Sequence, residues 1–359
     1  MLTSGAHRRA PSAILFTALL AACLPRAPAS PGVGRPSPPA PASPSPSTRA
    51  FISIDTSPIA LTHVRVIDGT GAPPAEDQTI VIADTRIVAV GRAGLVTIPP
   101  EAKVVDLREH TVLPGLVGMH DHLFYPASGE LFQEMATSFP RLYLAAGVTT
   151  IRTTGSVEPY TDLEVKRRID AGRVPGPKMH VSGPYLEGPG AYTPQMHELR
   201  DPADATRTVD FWADAGATSF KAYMHLTRAE LTASIAAAHA RGLKVTGHLC
   251  SIGFREAAAL GIDNLEHGLL TDTEHYSKKV ADECPSVTDA RLELTQLAIA
   301  SPAIQLTIRE LVARHVAVTS TLAVYEGYVP DRPPLRDRVM SALIAEAQEI
   351  GRASCRERV

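Results

Sequence analysis

The sequence predicts an α/β protein, a (β/α)8 TIM barrel short of its eighth strand, behind a small N-terminal β-sandwich. Three observations predict it. From about Ile59 to Thr111, short β-branched runs are broken by turn residues. After Pro114, apolar strand patterns alternate with helical ones, seven strands in succession. Several of those strands end in His or carry Lys, at the face where barrels keep their reactive groups.

Residues 1–22 read as an export leader. His7, Arg8 and Arg9 precede the apolar run Ala13–Ala22, which is too short to span a bilayer comfortably. The run ends Leu20-Ala21-Ala22-Cys23, which resembles the bacterial lipobox. That resemblance implies cleavage before Cys23, lipidation of Cys23, and an exported lipoprotein in the periplasm or at the outer membrane. The alternative is an ordinary secretory signal cut near Ala22 or beyond. Residues 23–56 are a linker. Nine prolines among Ser, Ala and Gly over 24–50 leave little to bury, so the segment should stay extended and solvated as a tether.

Residues 57–113 should form part of the sandwich. Ala60–Asp68 alternates, Gly69–Pro74 turns the chain, and 79–84 with 86–91 reads as a hairpin across Asp84-Thr85. Residues 114–349 hold the barrel, with strands expected at 116–122, 148–153, 178–183, 218–224, 243–248, 263–267 and 316–321. Helices fall between them, as at Leu226–Arg241 with Gly242 as cap, and a last one at about 335–349. Residues 350–359 look like a translated sequencing adapter, so the natural chain is expected to run on past Glu349. Cys23, Cys250, Cys284 and Cys355 show no zinc-ribbon or disulfide spacing, and cysteine is not expected to organise the fold. With 35 basic and 38 acidic side chains, the composition argues against a nucleic-acid partner. It leaves self-association into a homo-oligomer open, and contact with a membrane is expected through the lipid anchor alone.

The chemistry centres on Thr111–His122. An apolar run ends in His120 and His122, which alternation puts on one face of a strand, where two imidazoles can grip one ion. The pair alone is a weak signal. Further strand ends add Lys221 inside an apolar run, His248 and His267. His63, His110, His239 and His315 fall on early strands or the helical side and read as structural.

The motifs Leu-Pro-Gly-Leu-Val-Gly-Met-His-Asp-His (113–122), Ala-Gly-Val-Thr-Thr-Ile-Arg (146–152), Phe-Lys-Ala-Tyr (220–223), Gly-His (247–248) and Leu-Glu-His-Gly (265–268) together resemble the metal-dependent amidohydrolase superfamily. The likeness is to its imidazolonepropionase-like and prolidase-like branch and covers about 59–349. It implies two divalent ions, zinc first, with His120 and His122 on one and His248 and His267 on the other. Lys221 as an ammonium would repel both, and the resemblance implies a CO2-derived carbamate there, bridging them. A mononuclear subtype would not need the lysine. A salt bridge at the barrel mouth is the plainer alternative for Lys221. A metal-bridging hydroxide would then attack an amide carbonyl.

The resemblance also implies an aspartate ending strand eight. No residue here matches it, so the catalytic group stays unassigned and the printed chain is expected to be inactive. The expected reaction is hydrolysis of a C–N amide bond in a small molecule, a dipeptide, N-acyl amino acid or cyclic amide. A lactone or phosphoester, or a surface-displayed barrel without catalysis, are the alternatives. Tyr125, Arg152, Tyr185, His197 and Tyr223 are candidates for holding substrate, with packing roles or, for Arg152, a neighbouring acid, as the competing reading.

Overall fold

The computed structural model describes residues 43–126, 131–326, 336–341, 345 and 348. The chain divides into Met1–Ala40 and Pro41–Val359, and every element described belongs to the second unit. The leader, Cys23, most of the linker and the 350–359 tail lie outside the described residues.

The linker is not extended to its end. Pro46–Arg49 form a helical turn, α1, with Ser45 Oγ accepting from Thr48 N at 3.2 Å and Pro46 in the first turn. Proline tolerates that place because its missing N–H would have no partner there anyway. Ser45 N also donates to the Gly172 carbonyl at 3.1 Å, which gives the turn an anchor the composition could not reveal.

Strands β1 (Ile59–Val66), β2 (Ala75–Ala83), β3 (Arg86–Arg92), β4 (Lys103–Asp106) and β5 (Thr111–Val112) make one sheet. Its order is β3-β2-β1-β4, with β5 also on β1. Ala60, Thr62 and Val64 of β1 are buried while their neighbours are partly exposed, the alternation expected of a one-sided strand. Ala83 faces Arg86 across Asp84-Thr85, and Asp84 takes a φ of 52°, so the hairpin lies where the sequence puts it.

The βα units follow. β6 (Leu116–Asp121) leads to an antiparallel pair, β7 (Phe124–Pro126) and β8 (Phe132–Glu134), then α2 (Ser138–Ala145) and β9 (Val148–Thr153). Next come α3 (Pro159–Asp170), β10 (Lys178–His180), β11 (Ser182–Leu186), α4 (Pro202–Ala215), β12 (Ser219–Ala222) and α5 (Arg228–Ala240). β13 (Lys244–Gly247), α6 (Phe254–Leu260), β14 (Asn264–Glu266), α7 (Val287–Thr295), α8 (Pro302–Ala313), β15 (Ala317–Thr319), α9 (Leu322–Glu326) and α10 (Asp337–Met340) complete the order. Much of the expected 335–349 helix lies outside the described residues.

All seven expected strands are present, with one difference. The strand expected at 178–183 is broken at Val181 and runs on to Leu186. All five residues of β11 are buried, and Ser182, Tyr185 and Leu186 pair with β12 on either side of Gly183 and Pro184, which holds the segment extended. The parallel strands form two sheets, β10-β9-β6 and β11-β12-β13-β14-β15. Among the described residues they do not close, and β6 and β15 remain edges with Leu116, Val117, Met119 and Val318 about half exposed.

Helices cover the second sheet because their inner faces are apolar. Phe220, Leu231, Val245, Phe254 and Leu265 are fully buried in one cluster, each such side chain contributing roughly 1.5–3 kcal/mol. Thr227 and Glu230 form a reciprocal cap at the start of α5, and Gly242 follows its end at φ 71°. At α4, Asp204 accepts from Arg200 Nε (3.0 Å), the Arg200 backbone N–H (3.2 Å) and Arg207 (3.0 Å). Hydrogen bonds from Arg200 above all hold its carboxyl well below the usual carboxylate range.

Cysteine does join distant segments. Cys250 and Cys284 are disulfide-bonded, 34 residues apart, tying the segment after β13 to the loop before α7. Wide spacing hid the pair, since only the fold brings the two segments together.

Two outcomes follow. Replacing Cys250 and Cys284 by Ser should cost about 3–4 kcal/mol in urea unfolding, the loop-closure cost for a ring of this length; an unchanged midpoint would contradict it. Because the folded state depresses the Asp204 pKa, its stabilisation is present above the ordinary carboxylate range and fades as pH falls through it. Asp204→Asn should therefore lower stability by about 1 kcal/mol at pH 7 and by distinctly less near pH 2, where the unfolded carboxyl is already protonated, read from thermal melts at both.

Candidate functional site

The parallel strands bring His120, His122, Lys221, His248 and His267 together. His120 and His122 have ring centroids 5.2 Å apart, His120 and His267 4.7 Å, and His248 and His267 4.4 Å. Lys221 Nζ lies 3.5 Å from His120 Nε2 and over the rings of Tyr185 (5.5 Å) and Tyr223 (5.8 Å). Each side chain arrives from its own strand or just past its end, so rigid sheet sets the spacing. His267 departs from β14 at φ 68° and Gly268 continues at φ 69°. Two successive left-handed residues turn the chain sharply, a strained geometry more often kept where function needs it.

Three of the imidazoles are oriented from behind. His120 Nδ1 is 2.8 Å from Glu266 Oε2, His122 Nδ1 is 3.2 Å from the Gly155 carbonyl, and His267 Nδ1 is 2.7 Å from Thr321 Oγ1. Gly155 takes a φ of 86°, and a Cβ there would meet the Tyr185 ring at 2.4 Å, so only glycine lets that carbonyl approach. With the Nδ1 atoms engaged, the Nε2 atoms face the centre, and His267 Nε2 is buried with no hydrogen-bond partner.

Glu266 is the group the sequence motif contained without revealing its part. It is fully buried and accepts from Arg152 (2.7 Å), from Asn264 Nδ2 (2.7 Å) and from Thr246 Oγ1, besides contacting His120. Burial pushes its pKa up, but the bond to His120 and the charges of Arg152 and Lys221 outweigh burial and hold it at about 2. Arg152 also donates from Nε to the Met119 carbonyl at 2.8 Å. Its guanidinium is therefore engaged by a neighbouring acid, not left to face a substrate carboxylate.

Burial keeps the remaining groups neutral. It lowers His248 to about 2 and His267 to about 3, with the Lys221 charge adding in the same direction, and drives His122 well below its ordinary value. Burial also brings Lys221 down to about 7 against the pull of Glu266. Among the described residues Lys221 makes no salt bridge, so the competing explanation for a lysine here is not what the fold provides. Neutral imidazoles, His267 with its Nε2 unengaged, and a lysine able to shed its proton are a donor set suited to a divalent metal.

The other expected residues divide. Tyr185 is buried against Tyr223 (ring centroids 4.8 Å), and Tyr223 lies 5.0 Å from His248, so both border the cluster. Tyr125 is half-buried with its ring 6.4 Å from Phe139. His197 is exposed, with Nε2 3.6 Å from Asp204 at the start of α4. Asp272, Glu274 and His275 form a second group, the described ligand atoms that converge within 4.8 Å of one another; the histidine nitrogens are spread more widely. Glu274 there is already bonded to Arg255 at 2.9 Å and to Thr307 Oγ1, so a cation would have to displace a guanidinium.

Residues 111–323 match the amidohydrolase family, and the chain belongs to that family. A dihydroorotase of Anaeromyxobacter dehalogenans (strain 2CP-C) is 34% identical over 98 residues, 27% of this chain. The match spans 22% of that relative's length. Among solved structures, a Bifidobacterium longum protein described as a prolidase superposes with a TM-score of 0.56 at 23% identity, covering 83% of this chain and 68% of that one. A Xaa-Pro dipeptidase with methionine in its active site gives 0.54 at 21%, covering 74% and 79%. At these identities the structural likeness speaks for the fold.

Glu266→Gln should cost about 3 kcal/mol or more, since it leaves the Arg152 charge buried without its counter-ion. Chemical denaturation measures it, and a loss under 1 kcal/mol would mean that the network is not what holds these strands together.

Proposed function

We propose that the protein is a metal-dependent hydrolase of C–N amide bonds in small molecules, working at the His120, His122, Lys221, His248 and His267 cluster. The observation that carries this is the convergence of four neutral, partly buried imidazoles on a buried lysine, with three of the rings oriented by contacts at Nδ1. The names of the similar proteins, a dihydroorotase and a Xaa-Pro dipeptidase, support a C–N bond as the target. A dipeptide or an N-acyl amino acid is the substrate class we favour over a cyclic amide, because scavenging suits an exported protein. Export as a lipoprotein anchored through Cys23 is part of this reading. The Cys250–Cys284 bond supports it, since disulfides persist mainly in oxidising compartments.

The fold we infer is a (β/α)8 barrel with a β-sandwich before it. The succession of parallel strands and the half-exposed apolar edges of β6 and β15 support that reading. His120 and His122 would hold one ion, zinc first, and His248 and His267 a second. Lys221 would contribute to both as a carbamate formed from its neutral amine and CO2. A bound divalent ion supplies Lewis acidity and a hydroxide nucleophile at neutral pH. The chain's own residues do the rest. Glu266 and Thr321 fix the His120 and His267 rings, Tyr185 and Tyr223 wall the cluster from water, and burial leaves a fraction of the lysine amine uncharged at neutral pH.

The test is a zinc titration of the chain. About two equivalents should bind, His120→Asn and His248→Asn should each remove one, and Glu266→Gln should weaken binding roughly 10–100-fold. Carbon-13 bicarbonate should give a carbamate resonance that Lys221→Ala abolishes. Zinc uptake indifferent to the histidines would defeat the proposal. Hydrolysis is assayed in parallel on amides, lactones and phosphoesters. Cleavage there of lactones or phosphoesters without amides would favour that second bond class.

A further inference from the structure

Where the β7–β8 hairpin meets the start of α3, two carboxyl groups are shut away from water with no donor to meet them. Asp162, in the first turn of α3, is 1% exposed, and both of its oxygens are inaccessible and without a hydrogen-bond partner. The same holds for both oxygens of Glu134 at the end of β8, although that residue as a whole is only partly buried. Packing brings the two together. Ala136 and Leu163, close to them in sequence, share one apolar cluster, and Phe124, which faces Glu134 across the hairpin, shares another with Val157. Other buried acids are supplied with donors, Glu187 by the His225 N–H at 2.6 Å and Glu266 by Arg152 at 2.7 Å. Among the described residues neither Glu134 nor Asp162 has such a donor. Carboxyl groups buried in this way are costly unless something the chain does not itself provide meets them.

The chemistry of the place narrows what that is. Four carboxylate oxygens, with the Ser156 hydroxyl near Asp162, make a donor set of oxygen alone. Such a set suits a hard cation and not zinc, and two neighbouring carboxylates balance one divalent charge. Calcium fits better than magnesium, because it accepts irregular geometry and bidentate carboxylates, whereas magnesium demands an octahedron and holds on to its waters. Protons are the competitor. Burial first, then the charges of Asp162 and Glu158, push Glu134 up to about 9, and burial pushes Asp162 up to about 7 against the Ser156 hydroxyl. A proton shared between the two groups would engage two of the four oxygens, whereas one cation can engage all of them. The hairpin follows His122 directly, and the Phe124 ring lies 4.5 Å from that of His122, so a clamp here would steady one wall of the histidine cluster.

We propose that Glu134 and Asp162 together bind one calcium ion, which clamps the β7–β8 hairpin to the start of α3. The site is separate from the histidine cluster and does not depend on the hydrolase reading. Calorimetry with calcium chloride on the zinc-treated chain should show about one calcium per chain, with magnesium at least about tenfold weaker. Glu134→Gln and Asp162→Asn should each weaken calcium binding at least about tenfold, since each removes one of the two charges that hold the ion. Calcium at about ten times its dissociation constant should raise the thermal midpoint of the parent by about 3–5 °C and leave that of the double variant where it was. With calcium chelated, the double variant should melt at or above the parent, because the repulsion between the carboxylates is gone; this keeps a folding failure from passing as lost binding. His120→Asn, which alters zinc uptake, should leave the calcium isotherm unchanged. A chain that takes calcium but no zinc would sink the hydrolase reading and leave this site standing. No calcium uptake up to roughly 10 mM, above the range of weak extracellular sites, would overturn the proposal. So would uptake that survives both substitutions, or a double variant that melts well below the chelated parent, the mark of a shared proton.

Discussion

The buried carboxylate of Glu266 is the constraint on which the rest of the site depends. It lies on β14 with no exposure, yet it stays ionised because His120, Arg152, Thr246 and Asn264 converge on it. Those partners come from four strands, β6, β9, β13 and β14 itself. One charge therefore ties the three-stranded sheet to the five-stranded one at the level of the histidines. An ion pair taken out of water gains little by itself, and breaking one is what costs. Its effect here is on specificity of arrangement, since a shift of β6 or β9 relative to β14 would take His120 or Arg152 away from the carboxylate.

The fold was largely legible in the sequence where local periodicity decides it. Alternation and turn residues located the Asp84-Thr85 hairpin and all seven parallel strands, and the Thr227–Gly242 segment carried its own start and stop signals. What escaped depends on contacts between distant residues. β11 keeps Gly183 and Pro184 extended through pairing with β12, α1 is pinned by the Gly172 carbonyl, and Cys250 meets Cys284 only after the chain has folded back. None of these leaves a periodic trace.

The candidate site divides in the same way. His120, His122, Lys221, His248 and His267 could be picked out because each stands at or near the end of an apolar run, where polar residues are conspicuous. Glu266 stood inside the quoted motif, but its four partners are 2 to 146 residues away, and no spacing rule links them. Arg152 offered two readings in the sequence, and only the 2.7 Å contact with Glu266 decides between them.

Charge counting explains why Lys221 matters to the reading of the site. Its imidazoles are neutral, and the one carboxylate in contact with them, Glu266, is already balanced by Arg152. Two divalent ions bound by the four histidines alone would bring four positive charges into a buried space with nothing to offset them. Lys221 as an ammonium would add a fifth, whereas as a carbamate it replaces a cation with an anion at the same place. Burial prepares that change by bringing the amine down to about 7, where a nucleophilic fraction exists. The alternative that needs no such chemistry is a single ion, with Lys221 protonated and apart from it.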